Sequence, residues 1–285
     1  MSHSGTVGVV NGDVNAGRLR PLSELTRAEA RGLVGLLFDI DDTVTHQGRI
    51  VPEAFAAMAR AQATGLKMIP VTGRPAGWCD HIARMWPVDG VVGENGGLWF
   101  FMGREGESGP VKLQRRFAQD LETRAANRTR LEVVRADVLA RVPGCGIASD
   151  QPYRELDLAV DFCEDVAPLP PSAIDDIVRV FEDHGATCKV SSIHVNGWYG
   201  SFDKLAGFRG LVADLGLTDD PSAWGFAGDS ANDAPMFAHF PVALGVANVD
   251  AFLARIPVWP RFRAAGEGGH GFAQFVERVL ALRGA

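Results

Sequence analysis

No two of the four cysteines in this 285-residue chain form a CxxC pair, and none has a histidine cluster beside it. Cys79, Cys145, Cys163 and Cys188 are scattered, which argues against a zinc site and reads as reduced thiols. Basic residues are also scarce: 28 Lys and Arg against 35 Asp and Glu give a net charge of -7 and a pI near 5.5. A phosphate-backbone binder would carry a basic stripe, so nucleic acid is not an expected partner. No apolar run approaches a membrane span, and Met1 to Arg20 lacks the basic start and apolar core of a leader. No membrane partner is expected, and a cytoplasmic location follows by default. There is no internal repeat. The 46% hydrophobic content is ample for a core, in one large domain or two modest ones.

Against these absences one segment stands out. The apolar run Leu36-Leu37-Phe38 leads directly into Asp39-Ile40-Asp41-Asp42-Thr43. A buried strand ending in three carboxylates gathers charge at a cost that only a cation or a phosphorylation cycle would justify. The strand tip reads as a reaction centre.

Around it, short apolar runs alternate with amphipathic segments, the pattern of strand-helix-strand units and a parallel sheet. Strands are expected over Val34–Phe38, Leu66–Val71, Val88–Val92, Ala223–Ala227 and Val242–Val246, with a helix opening at Pro52 and another over Phe202–Leu215. Residues 1–22, rich in Gly, Ser and Asn, are expected to be a mobile extension. Over 99–199 antiparallel signals replace this pattern. Glu155 to Phe162 alternates apolar residues with Asp157, Ala159 and Asp161, a strand with one wet face. Ser172 and Asp175 suggest a capping box before a helix that ends at Gly185. The expected architecture is α/β: a core of 23–98 and 200–285, interrupted by a small α+β module over 99–199. The strand ends bring Asp39, Thr72, Glu94 and Asp229 to one rim, where open parallel sheets bind ligands.

Four stretches then carry a resemblance: Asp39-Ile-Asp41-Asp-Thr43, Val71-Thr72-Gly73-Arg74, Lys204 in Ser201-Phe-Asp-Lys204, and Gly228-Asp229-Ser-Ala-Asn232-Asp233. In this order they resemble the motifs of the haloacid dehalogenase (HAD) superfamily. The insertion between the second and third, with Glu94-Asn95-Gly96, resembles the IIB branch with its C2-type cap. The resemblance implies a Rossmannoid three-layer core with an inserted cap, Mg²⁺ as cofactor and a small phosphorylated metabolite as substrate, most plausibly a sugar phosphate. It further implies Asp39 as nucleophile, Asp41 as acid and base, and Thr72 and Lys204 as phosphate-stabilising groups. Asp39, Asp41 through its carbonyl, Asp229 and Asp233 would serve the metal. Thr43, Gly73, Arg74, Asn95, His194, Asn196 and Asn232 are the candidates for substrate binding. At Asp42 many relatives carry glycine.

Each piece alone has a blander reading. Asp233, two residues before Pro235, could be only a helix N-cap, and Lys204 only a solvated helix lysine. Gly93–Gly97 lacks a full GxGxxG and is not read as dinucleotide-binding. His194, Asn196, Trp198 and Tyr199 form a candidate specificity segment, with packed aromatics as the alternative. The rival activities are a phosphosugar mutase, told apart by its product, and a non-catalytic phosphometabolite-binding protein, told apart by the absence of turnover.

Overall fold

The computed structural model describes residues 19–284 apart from 105, 107 and 255. The expected extension therefore lies largely outside the described residues, but its end forms a short strand, β1 (Arg20–Pro21). Helix α1 (Arg27–Arg31) follows, opened by a capping box between Thr26 and Glu29. Then come β2 (Gly35–Phe38), a small hairpin of β3 (Thr45–His46) and β4 (Arg49–Ile50), and α2 (Pro52–Ala63). Pro52 occupies the first turn of α2, where its missing N–H costs nothing. The next elements are β5 (Lys67–Pro70), α3 (Ala76–Met85) and β6 (Val91–Gly93).

β6 continues into a hairpin of β7 (Leu98–Arg104) and β8 (Val111–Phe117), and Leu98, Phe100 and Phe101 pack into the same cores as the parallel sheet. Helix α4 (Leu121–Arg141) follows, with Asp120 as its N-cap. An antiparallel sheet follows, ordered β11-β12-β10-β9, with strands β9 (Gly146–Ile147), β10 (Asp157–Asp161), β11 (Thr187–Val190) and β12 (His194–Trp198). Helix α5 (Pro171–Asp183) crosses between β10 and β11. Leu131, Val134, Leu158, Val160, Ile177 and Phe181 belong to a core separate from the parallel sheet's, and we call this part the inserted unit.

Two local expectations are corrected here. No side chain caps α5; Pro171 opens it behind Pro170, the fixed proline φ replacing the Ser172–Asp175 box. The wet face of β10 is buried, because Asp157 and Asp161 find partners inside the protein.

The chain then returns through α6 (Lys204–Asp214), β13 (Trp224–Gly228), α7 (Ala234–His239), β14 (Val242–Gly245), β15 (Phe262–Arg263) and α8 (Gly268–Arg283). The six-stranded sheet is parallel throughout, ordered β1-β15-β14-β13-β2-β5. Leu36 and Phe38 bury one face against α2 and α8, with Phe38 and Phe272 rings 4.7 Å apart; Leu37 buries the other with Phe208 and Phe237. β2 lies between β13 and β5, so strand order reverses at its tip and opens the crevice where such sheets bind ligands. Among the described residues no helix is long and apolar enough to cross a membrane.

Candidate active site

Asp39 is the first residue past β2, and its N–H still bonds the Ala227 carbonyl of β13 at 3.0 Å. The sheet ladder thereby fixes a buried carboxylate at the crevice. Lys204, the first residue of α6, points its Nζ between two carboxylates, 3.3 Å from Asp39 Oδ2 and 2.8 Å from Asp233 Oδ1. Asp203 caps that helix by accepting the Ala206 N–H. Gly96, at φ +102°, lets the helix start approach: a Cβ there would lie 1.8 Å from the Asp203 carbonyl oxygen.

Asp233 sits at the head of α7 but does not cap it with its side chain. Its carboxylate turns back to accept the N–H groups of Asp229 and Ser230, at 3.0 and 3.4 Å, as well as Lys204. The missing side chain of Gly228 makes room, since a Cβ would stand 2.5 Å from Asp233 Oδ2. Asp229 is held by Thr43, whose hydroxyl donates to Oδ1 at 3.3 Å, while Asp229 Oδ2 is buried with no hydrogen-bond partner.

Asp39, Asp229 and Asp233 each place a carboxylate oxygen within 4.8 Å of the others. Burial pushes the Asp39 carboxyl up to about 7, helped by Asp233 and Asp41 and opposed by Lys204. Asp229 is driven up as well, by burial and then by Asp233 and Asp39. One lysine does not balance three buried acids. Oxygen-only donors and an orphaned carboxylate oxygen fit a hard divalent cation such as Mg²⁺.

Thr72 is fully buried; its N–H goes to the Val92 carbonyl and its hydroxyl accepts the Arg74 N–H, so of its two donors only the hydroxyl is uncommitted towards a phosphate. Asn95 lies against Gly73 at φ 55°, buried, with an unpartnered Nδ2. Arg74, a candidate for substrate binding, grips both oxygens of Asp41. Asp42 itself has φ 54°, a left-handed position that explains why glycine suits it. Its carbonyl accepts the Asn248 side-chain amide at 2.8 Å, while Asn248 also accepts the Gly268 N–H that opens α8.

The inserted unit covers this rim. His194 and Asn196 of β12 line the cleft with Asp39, Asp41, Asp229 and Asn232. Asn196 donates to Asp157 at 2.9 Å, and His194 Nε2 stands 2.9 Å from Glu164 Oε2, out of line for a full hydrogen bond. His194 and Arg74 together hold the Glu164 carboxyl down to about 2 against burial. Trp198 and Tyr199 turn away: Trp198 stacks on Phe202 at 5.5 Å and Tyr199 donates to the His184 carbonyl. Arg154, Asp150 and Glu164 had no sequence signal; Arg154 bonds Asp150, Asp157 and the Gly73 carbonyl. Glu94 receives the N–H groups of Ala76, Glu155 and Leu156, joining the two parts of the chain.

No family model matches the chain, and no curated protein matches it in sequence. Solved structures do. A Thermoplasma acidophilum protein, 0175, aligns at 20% identity and TM-score 0.64 over 88% of this chain and 99% of its own. The sucrose-phosphatase of Synechocystis, solved with sucrose and phosphate, aligns at 16% and 0.60 over 87% and 98%. A HAD subclass IIB sugar phosphatase aligns at 14% and 0.56 over 81% and 92%. The fold is that of the HAD superfamily. In this fold the crevice at the tip of β2 carries Asp39 and Asp229, and α6 brings Lys204.

Proposed function

We propose that the protein is a Mg²⁺-dependent phosphatase of a small phosphomonoester, a sugar phosphate, working through an aspartyl phosphate on Asp39. The observation that carries this reading is Lys204 Nζ set between Asp39 and Asp233 beside the unpartnered Asp229 Oδ2. The sugar phosphatases that share the fold support the substrate class.

Asp39 attacks phosphorus and the ester oxygen departs, which splits a slow hydrolysis into two easier steps. Asp41, two residues along the same segment, protonates the departing oxygen and later takes a proton from the water that cleaves the acyl phosphate. Lys204 lowers the cost of bringing a phosphate dianion against a carboxylate and stabilises charge on the transferring oxygens. Asp39, Asp229 and the Asp41 carbonyl would hold Mg²⁺, with Asp233 supporting them from behind. When bound, the ion supplies positive charge that neutralises the phosphate.

A phosphate-release screen over sugar phosphates, nucleotides and small phosphoesters tests the activity. Release from at least one sugar phosphate, lost in EDTA and restored by Mg²⁺, is the expected result; silence across the panel overturns it. Binding is testable without turnover. Mg²⁺ at a hundred times its Kd should stabilise the EDTA-treated protein by about 2.7 kcal/mol, seen as a rise in melting temperature. In Asp229→Asn that rise should vanish.

A further inference from the structure

Each nitrogen of the Arg74 guanidinium already meets a carboxylate. Its side chain is 8% exposed, and Nε and Nη2 bind the Asp41 carboxylate at 2.8 to 3.1 Å. The rest of the fork reaches into the inserted unit, Nη2 to Glu164 Oε1 at 3.2 Å and Nη1 to Asp150 Oδ2 at 3.5 Å. The guanidinium plane rests on Trp78, 4.3 Å from the ring centroid, which fixes its tilt.

We propose that Arg74 is a positioning residue that ties the seating of the inserted unit to the orientation of Asp41; the inference rests on the phosphatase reading above. A planar fork can hold carboxylates from two parts of the chain at once, which a lysine ammonium cannot do with the same geometry. Two of its three acidic partners, Glu164 and Asp150, belong to the inserted unit, while Asp41 belongs to the loop after β2. Glu164 in turn touches His194 on β12, which lines the cleft. An unbroken chain of polar contacts, Asp41–Arg74–Glu164–His194, thus runs from the proposed acid-base group to the strand against which a leaving group would sit. Seating the unit holds the guanidinium from behind, and the guanidinium holds Asp41 in place.

The choice of leaving group tests this. A sugar alkoxide needs a proton as it departs, whereas para-nitrophenolate does not, so in the phosphoryl-transfer step that kcat/KM reports only the former depends on where Asp41 points; the later attack of water is common to both. The measurement is kcat/KM for para-nitrophenyl phosphate and for the sugar phosphate that wild type hydrolyses fastest. For Arg74→Ala the sugar ester should lose about 100-fold and the aryl ester at least ten times less, with added guanidinium recovering part of the sugar-ester rate. Glu164→Gln is nearly isosteric and leaves the Arg74–Asp41 contact intact. It should shift the two esters in the same direction by a smaller factor, and it decides the matter if Arg74→Ala does not fold. Equal losses on both esters, or a Glu164→Gln enzyme indistinguishable from wild type on both, overturn the role given to Arg74 alone. A wild type that turns over neither ester overturns the phosphatase reading and this inference with it.

Discussion

Asp39→Asn should lower phosphate release by about 10⁴-fold or more without loss of thermal stability. The amide keeps the shape of the carboxylate but is a far weaker nucleophile, so the first step has nothing to replace it. Stability follows from the electrostatics. Asp39 is pushed up from 3.8 to about 7 because burial, Asp233 and Asp41 all disfavour its charge. A carboxyl whose pKa is raised on folding contributes its stability at low pH. The unfolded chain releases that proton first, so the metal-free protein should weaken as pH climbs from 3.8 towards 7. Asn at this position removes that share of the slope; Asp229, shifted in the same direction, keeps its own. Phosphate assays beside melting curves across this range check both halves. Turnover within about tenfold of wild type would remove Asp39 as the nucleophile.

The rim of the parallel sheet was legible because each contributing strand is marked twice, by an apolar run and by the polar residue that ends it. Asp39, Thr72 and Asp229 could be placed on one edge from that punctuation alone, and the structure brings Asp39 and Asp229 together there with Lys204. Asp42 looked anomalous in sequence and is explained by backbone conformation rather than chemistry. The inserted unit was harder to read. Alternating Asp157, Ala159 and Asp161 look like a solvent face, but Arg154 and Asn196 pair with Asp157, and Asp161 accepts the N–H groups of Cys163, Glu164 and Asp165. Periodicity reports polarity, and a polar face can be buried when its partners arrive from elsewhere in the chain. The aromatics of 198–199 show the converse: a plausible sugar platform whose rings are spent on packing. Asn248 joins the loop after β2 to the start of α8, a contact between distant segments that no local pattern announces.

Lys204→Met should cost both activity and about 3 to 5 kcal/mol of stability, the penalty for leaving buried charge without its partner. Asp233 is fully buried and Asp39 nearly so, and Lys204 is the cation that stands between them. Burial disfavours the ammonium, but the two carboxylates outweigh it and hold the lysine charged. Methionine fills the volume of the stem and supplies none of that charge. Arginine would keep the charge but spread it over a planar fork too wide for a gap set by contacts of 2.8 and 3.3 Å. The double variant Lys204→Met/Asp233→Asn separates the two effects. Asn retains an oxygen for the Asp229 and Ser230 N–H groups, so urea unfolding without metal should recover much of the lost stability. Activity should stay absent, because the cation that faces phosphate is still missing. A Lys204→Met protein that unfolds at the wild-type urea concentration would mean that Asp39 and Asp233 do not depend on this lysine for their charge. The electrostatic basis of the proposed site would then be gone.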